Sequence, residues 1–567
     1  MKISKFVLFL GLFFVLGFAS LMGSNASAAT PKVLSDALTA AKNLDKYTMG
    51  SGATGKNVPS TYLSTAKSKY SYALKILTAS QEKTYASTLK SIKASIDRGT
   101  YYVAAVQGGQ TLNSYKLKID AAAKAGKADT GLLVTLNIEN SAQNARLNKV
   151  SPAAIRTKID NNYSKGAKWV LSTYSKALSV KLQINEANKR LSGSADFIAP
   201  YYKSAMINRT EIPQAIYKAA LNAEFNKLHA AVASKAKTGK LGAYYQLEVE
   251  LTRLDGLISP GITDRQVPDL TKSIQVQINS SYYSSTEKSL LNKRLNSILG
   301  QVKISKAQIK QKLTAAAIKK GVEIPPEIVK SIAYKESGFK QFTDDGKPFI
   351  SSDGGIGIMQ VTPNATGKDS REWEKAKYNI VTNIQIGIDI LLEKWNYAGS
   401  ELPIINDHNK AVLEDWYFAI MAYNGISYTN DPNKTSNAYQ LGVYDYIIQR
   451  AQLNPEVLNK ANVKVTQNPD KLGYYIDANA KYTTSRQTRS TQMYTAGTKY
   501  TLKKGVTYRT QPTTQAGSKY TLTANTQVTI VQTGIEDTMN DDNLLNWYKV
   551  QIPGKSGYWY VASPNFP

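Results

Sequence analysis

At 567 residues, with a net charge of +29 and no cysteine, the chain has room for several cores and attracts polyanions. The absence of cysteine excludes disulfides, thiol catalysis and a lipid-modified cysteine anchor. Two histidines, His229 and His408, are too few for a zinc peptidase of the usual ligand set, and Gly126-Lys127 continues with alanine, so no phosphate-binding Gly-Lys-Ser/Thr loop is present.

Residues 1–28 read as a signal peptide. Lys2 and Lys5 precede an apolar run that starts at Phe6, and Ala26-Ser27-Ala28 offers a small-residue cleavage site. No later run is apolar enough to cross a bilayer, so the mature protein is expected without a membrane span. A secreted chain without disulfides fits the exterior of a Gram-positive cell. The expected location is therefore extracellular and cell-wall associated, with non-covalent attachment.

Residues 30–304 read as all-α. Apolar residues recur at three and four, as in Tyr70, Ala73, Leu74 and Leu77. Turn signals stand at Gly50-Ser51-Gly52, Gly108-Gly109 and Ser259-Pro260-Gly261. Ala121-Ala122-Ala123-Lys124-Ala125-Gly126-Lys127 is echoed by Ala236-Lys237-Thr238-Gly239-Lys240, which leaves open two related helical bundles. Nearly all of the net positive charge falls before residue 321. Outside a Gram-positive cell the abundant polyanions are anionic secondary cell-wall polymers and teichoic-type acids, so these are the expected partners and nucleic acid is not. The texture, especially Tyr244-Tyr245-Gln246-Leu247 and Leu251-Thr252-Arg253-Leu254-Asp255-Gly256-Leu257-Ile258, resembles the helical polymer-binding region of S-layer proteins.

A lysine-rich helix from about Ser305 leads into residues 305–465, which carry the chemistry. Ile324 to Ser337 reads as one helix: Pro325 and Pro326 suit its first turn, and Glu327 suits its positive end. Ile328, Val329, Ile332 and Ala333 predict a buried face, Glu336 lies on the same stripe, and Gly338 can end the helix. A carboxylate there is disfavoured in its ionised form and keeps its proton to higher pH, as a general acid must. Farther on stand Ser351-Ser352-Asp353-Gly354-Gly355-Ile356-Gly357-Ile358-Met359-Gln360-Val361-Thr362-Pro363 and Ala422-Tyr423-Asn424-Gly425.

Glu-Ser, then Gly-Ile-Met-Gln-Val-Thr-Pro, then Ala-Tyr-Asn-Gly, in that order, resembles the soluble lytic transglycosylase family. The resemblance implies a mainly α, lysozyme-like domain that cleaves the MurNAc-GlcNAc β-1,4 bond of peptidoglycan glycan strands. It implies that Glu336 protonates the bridging oxygen and then, ionised, takes the C6 hydroxyl proton to close a 1,6-anhydro ring. By the same resemblance Ser351 orients the MurNAc acetamide, Met359 lies beneath the sugar and Gln360 hydrogen-bonds in the cleft. Tyr423 and Tyr446 then stand near the acid, and Asn424 is a further substrate contact. Neither metal nor cofactor is required. Asn379-Ile380, Asn383-Ile384 and Gly387 resemble the family's long core helix, and Trp416 to Gly425 is apolar almost all round, hence buried.

Residues 466–492 have the Thr, Ser and Gln composition of a linker. Over 493–567, short alternating runs such as Val528-Thr529-Ile530-Val531 and Trp547-Tyr548-Lys549-Val550 predict a small all-β barrel. They resemble a bacterial SH3-type wall-binding domain. The acidic stretch from Glu536-Asp537 to Asp541-Asp542 reads as a solvated loop. Two alternatives stay open. A muramidase-type hydrolase would use Asp353, Asp344 or Asp345 to add water across the same bond; goose-type muramidases commonly hold aspartates where Ser351 and Thr362 stand. A non-catalytic wall-coat protein would keep the domain only to bind glycan.

Overall fold

The computed structural model describes residues 29–344, 346–363, 371–469 and 473–567. The expected signal peptide and Asp345 lie outside them. The described chain is mostly helical and ends in a six-stranded sheet. It divides into two compact units between Tyr245 and Gln246, inside the helix Gly239–Leu257. No described helix is long and apolar enough to cross a membrane.

The N-terminal unit is built on the 39-residue helix Ala86–Lys124, which packs against Lys32–Thr48 and Thr130–Asn148. Gly108-Gly109, expected as a turn, lies inside this helix. A Cβ at Gly109 would come within 2.5 Å of the Tyr163 ring, and one at Gly108 within 2.5 Å of Gln143 and Arg146 side chains. The pair is a packing notch, and close approach outweighs a helix-propensity cost of about 1 kcal/mol per glycine. Tyr102, Tyr202 and Tyr217 are core residues, whereas Tyr72 and Tyr101 are exposed.

The C-terminal unit begins well before residue 305. The turn at Ser259-Pro260-Gly261 forms as expected, bridging Ser259 to Ile262. Gly261 accepts from the Ile380 N–H (3.0 Å) and donates to the Val302 carbonyl (3.0 Å), while the Thr263 N–H reaches the Tyr378 carbonyl at 2.8 Å. A Cβ on Gly261 (φ +79°) would come within 2.6 Å of Ile380. Arg294 grips Glu248 with two hydrogen bonds of 2.6 and 3.0 Å. The helices between 246 and 304 are thus fastened to the core helix Ile380–Trp395 rather than grouped with the chain before them.

Around that core helix stand Pro326–Ser337, Tyr417–Asn424 and Tyr439–Arg450, which share one apolar core with it. Residues 466–492 do not behave as a linker. Ile404 and Ile405 pair in parallel with Lys481 and Tyr482, Ile476 is buried, and Ser490, Thr491 and Gln492 are buried as well. Ser490 and Thr491 donate to the buried Glu327 carboxylate and Gln492 to the Leu544 carbonyl, which a polar composition does not reveal. The terminal sheet runs Lys499–Leu502, Thr526–Glu536, Asn546–Gln551, Trp559–Ala562, Thr507–Arg509, Lys519–Thr521. Its two edge strands do not pair with each other, so where a small SH3-like barrel was expected the sheet does not close. The long strand shifts register twice between Ile530 and Ile535, as bulges do when they bend a strand. Glu536 and Asp537, expected in a solvated loop, are both buried.

Candidate active site

Pro325 precedes the acid-bearing helix, Pro326 opens it, and Gly338 in the left-handed region (φ 61°) ends it. Its residues from Pro326 to Ala333 are buried without a break. Apolar side chains face the common core, and Glu327 and Lys330 face partners far along the chain. Glu327, expected at an open helix start, is completely buried. Its Oε2 accepts from the Ser490 hydroxyl (2.7 Å) and its Oε1 from the Thr491 N–H (2.9 Å). Lys330, also completely buried, meets Glu536 Oε1 at 3.3 Å and donates to Asn546 Oδ1 at 3.0 Å. Thr314 donates to the same Glu536 oxygen (2.9 Å), and Lys310 Nζ donates to the Asn543 carbonyl (2.8 Å). Burial is the largest influence on each ion. It pushes the Glu327 and Glu536 carboxyls up and the Lys310 and Lys330 amines down, while the opposite charges nearby work against it.

At the other end of the helix Glu336 is half-buried, and the Tyr439 hydroxyl donates to its Oε1 at 2.6 Å. Burial raises the carboxyl from 4.5 to about 7, the Asp353 carboxylate adds to the rise, and the Tyr439 hydrogen bond and Lys335 oppose it. Ser337 Oγ fastens the helix end to the Ile358 carbonyl at 2.9 Å. The Tyr423 and Tyr439 phenols are held well above their ordinary value, first by burial and then by the Glu336 charge. Both therefore remain neutral donors.

Tyr439 is the first residue of its helix, and Asn430 positions it. The Tyr439 N–H donates to Asn430 Oδ1 (3.1 Å), and Asn430 Nδ2 donates to Asn424 Oδ1 (3.0 Å) and to the Gly425 carbonyl (2.7 Å). A continuous chain of hydrogen bonds thus runs from Asn424 through Asn430 and Tyr439 to Glu336. Tyr423 donates to the Met359 carbonyl at 2.8 Å, which joins the second and third motifs.

The loop of the second motif is held by its own glycines and by Asn383. A Cβ on Gly355 would come within 2.7 Å of Gln360 Oε1 and 2.8 Å of Ser351 Oγ, so Ser351 and Gln360 flank a bare backbone. Ser351 Oγ donates to Asp353, and that bond is the main reason the Asp353 carboxyl lies below its ordinary value and stays ionised. Gln360 (φ +45°) donates to the Gly357 carbonyl at 2.8 Å. The Met359 N–H donates to Asn383 Oδ1 at 2.9 Å.

Two expected site residues stand elsewhere. The Met359 side chain is fully buried and packs on Gly387, where a Cβ would come within 2.7 Å of it; it is core, and only its backbone serves the site. Tyr446 packs edge-on against Tyr334 at 4.8 Å, with the Arg450 guanidinium over both rings. Tyr334 and Glu336 are two residues apart on a helix and so point in nearly opposite directions, about 200° apart. The tyrosine on the acid is Tyr439, seven residues before Tyr446. Among the described residues no cluster of His, Asp and Glu could hold a metal ion. A cavity of about 590 Å³ adjoins the third motif, walled by Tyr397, Ala422 and Gly425 and by Tyr474 and Tyr475 of the 466–492 segment.

Residues 314–442 match the family model described as the transglycosylase SLT domain. No curated protein and no solved structure matches the chain. The matched span holds Glu336, all three motifs, Asn430 and Tyr439, and ends before Tyr446. The match supports a catalytic domain of the lytic transglycosylase type, with a lysozyme-like fold, in this part of the chain.

Proposed function

We propose that the protein is a secreted lytic transglycosylase that cuts the MurNAc-GlcNAc β-1,4 bond and leaves a 1,6-anhydroMurNAc end. The observation that carries this reading is Glu336, a carboxyl brought to about 7 in hydrogen-bond contact with a neutral tyrosine. One group that both donates and accepts a proton works best when its pKa lies near the working pH. Protonated Glu336 gives its proton to the bridging oxygen as the bond to C1 breaks, with the acetamide oxygen of the sugar supporting C1. The ionised carboxylate then takes the C6 hydroxyl proton as that oxygen closes on C1. Ser351 and Gln360, flanking Gly355, are the groups assigned to the acetamide and the sugar hydroxyls, and Tyr439 steadies the carboxylate between the two steps.

A hydrolase is the second reading, favoured by one observation: the ionised Asp353 is close enough to raise the Glu336 carboxyl and could activate water. Mass analysis of digested peptidoglycan separates them. Anhydro ends are expected; reducing ends, heavier by one water, would transfer the assignment to hydrolysis, with Asp353→Asn then abolishing turnover.

We further propose that the mature chain stays at the wall non-covalently. The positive N-terminal region would hold anionic wall polymer, like the S-layer regions it resembles, and the C-terminal sheet would act as an SH3-type wall-binding module. Exposed ion pairs weaken as the screening length falls from roughly 10 Å at 0.1 M salt to roughly 3 Å at 1 M. Wall binding should fall with salt and with chemical removal of the polymer; binding unchanged on stripped peptidoglycan would refute the polymer assignment.

A further inference from the structure

Lys335, the residue before the acid, is half-buried rather than turned out to solvent. Its side chain lies along the next helix, Tyr439–Arg450, where a Cβ on Gly442 would come within 2.5 Å of Lys335 Nζ and 2.9 Å of its Cε. The same amine stands over the face of the Tyr439 ring, 5.6 Å from its centroid. The hydroxyl of that ring is the donor to Glu336 Oε1 at 2.6 Å, so Tyr439 has the cation on its face and the acid at its tip. We propose that Lys335, seated on Gly442, is a positioning residue of the reaction: through the Tyr439 ring it steadies the Glu336 carboxylate that forms once the first proton has been given. The inference rests on the two-step use of Glu336 proposed above.

Three observations carry it. The first is the seat. Gly442 is three residues past Tyr439 and shares its helix face. Glycine inside a helix is less favourable than alanine, and here it clears the space that the end of the lysine side chain fills. The second is the ring. A cation within about 6 Å of an aromatic centroid is attracted to its face, and a phenol polarised in that way donates a stronger hydrogen bond. The third is the balance of charge around the acid. Burial is the largest influence on Glu336 and raises its carboxyl; the Tyr439 hydrogen bond and the Lys335 charge lower it, and Asp353 raises it.

The titratable groups around Glu336 come from each element beside it. Tyr439 stands on the helix Tyr439–Arg450, Tyr423 on the helix Tyr417–Asn424 and Asp353 on the loop of the second motif. Both phenols are neutral and Asp353 is ionised, so Lys335 supplies the positive charge that offsets Asp353. Arg450 lies instead over Tyr334 and Tyr446, and Lys310 and Lys330 are bonded to Asn543 and Glu536. A lysine in the last turn suits the negative end of any helix, but that role calls for neither Gly442 nor Tyr439.

The test is the pH profile of kcat/KM for the full mature chain on soluble glycan strands. Lys335→Met keeps the stem and removes the charge, so the Glu336 carboxyl rises further. The alkaline limb should move up from near 7 by roughly half a pH unit, the size of one partly screened charge pair. Turnover should fall roughly threefold to tenfold in kcat with KM unchanged. Lys335→Arg keeps a cation over the ring and should restore the limb to within about 0.2 pH unit of wild type. Gly442→Ala should move the limb in the same direction, because the added carbon pushes the amine off its seat, while the melting temperature holds or rises. Combining Gly442→Ala with Lys335→Met should add nothing to the effect of Lys335→Met alone. A lower melting temperature with an unmoved limb in Lys335→Met would leave only the helix-end role and overturn the proposal. A Gly442→Ala limb at the wild-type position would overturn it as well. Undiminished lysis by Glu336→Gln would remove the catalytic reading itself, whereas an unmoved limb in an enzyme that needs Glu336 removes only the role of Lys335.

Discussion

Replacing Glu336 with Gln should abolish turnover and also stabilise the fold in a pH-dependent way. The carboxyl sits at about 7 in the folded chain against 4.5 ordinarily. Between those values the folded protein holds a proton that the unfolded chain has released, so this group costs stability as pH rises through the window. The full linkage is about 3 kcal/mol at pH 7 and below about 1 kcal/mol at pH 5. Because Glu336 is only half-buried, solvent screening reduces the neutral-pH figure to about 1–3 kcal/mol. An uncharged amide of the same size avoids that cost. The melting temperature of Glu336→Gln should therefore exceed that of wild type by roughly 2–6 °C at pH 7.5, with the gap nearly closed at pH 5. Peptidoglycan cleavage should fall by roughly 10⁴-fold or more, since the one residue serves both proton transfers. A gap that does not change with pH would mean that Glu336 is not the raised carboxyl. Retained lysis in a folded variant would mean that the acid lies elsewhere.

Three further outcomes follow from the same contacts. Tyr439→Phe removes the hydrogen bond that opposes the rise of Glu336, so the alkaline limb of the kcat/KM profile should move to higher pH from near 7, with a rate loss smaller than that of Glu336→Gln. Glu327→Ala strands the Ser490 and Thr491 donors in the interior, and should cost about 2–4 kcal/mol in denaturant titration, far above the helix-dipole value expected for an open helix start. Lys330→Met leaves Glu536 buried beside a lost partner and should cost about 3–5 kcal/mol, whereas adding Glu536→Leu should recover much of that stability without recovering the full rate of lysis.

Local pattern carried the acid-bearing helix a long way. The proline pair, the stripe ending at Glu336 and Gly338 delimit a helix that forms as read, and the motif order singles out Ser351, Gln360, Tyr423 and Asn424 as candidates. Tyr439 escaped notice because Tyr439 and Tyr446, seven residues apart, share one helix face, and choosing between them requires the helix's axial position, which Asn430 in the preceding loop helps to set. The only local hint was the nearness of Asn430-Asp431-Pro432 to the Ala-Tyr-Asn-Gly motif. Met359 was misjudged because its exposure depends on Gly387, a notch on another helix. Glu327 was read only as suiting the positive helix end and Lys330 was given no role, since their partners Thr491 and Glu536 lie 164 and 206 residues away. The same distance hid the role of residues 466–492, whose Ser and Thr content signals a linker when no buried carboxylate is in view.

The carboxyl proposed as the acid and the buried ions share one helix, and that arrangement offers a reason why charges are kept where apolar packing could serve. A buried ion pair seldom adds net stability over well-packed apolar side chains, because desolvation offsets the attraction. What it adds is direction. Apolar contacts allow a helix to slide or roll within its groove, whereas Lys330 bonded to Glu536 and Asn546, and Glu327 bonded to Ser490 and Thr491, fix both its rotation and its axial position. Successive residues on a helix differ by about 100° in direction and 1.5 Å in rise. A roll of one residue would bring Lys335 or Ser337 to Tyr439 in place of Glu336, and misplacement by about 1 Å can already cost 10²-fold in rate. On the proposed function, the C-terminal sheet and the segment before it would act on catalysis from about nine residues away along the helix, by holding the near end so that the far end presents one carboxylate to one tyrosine.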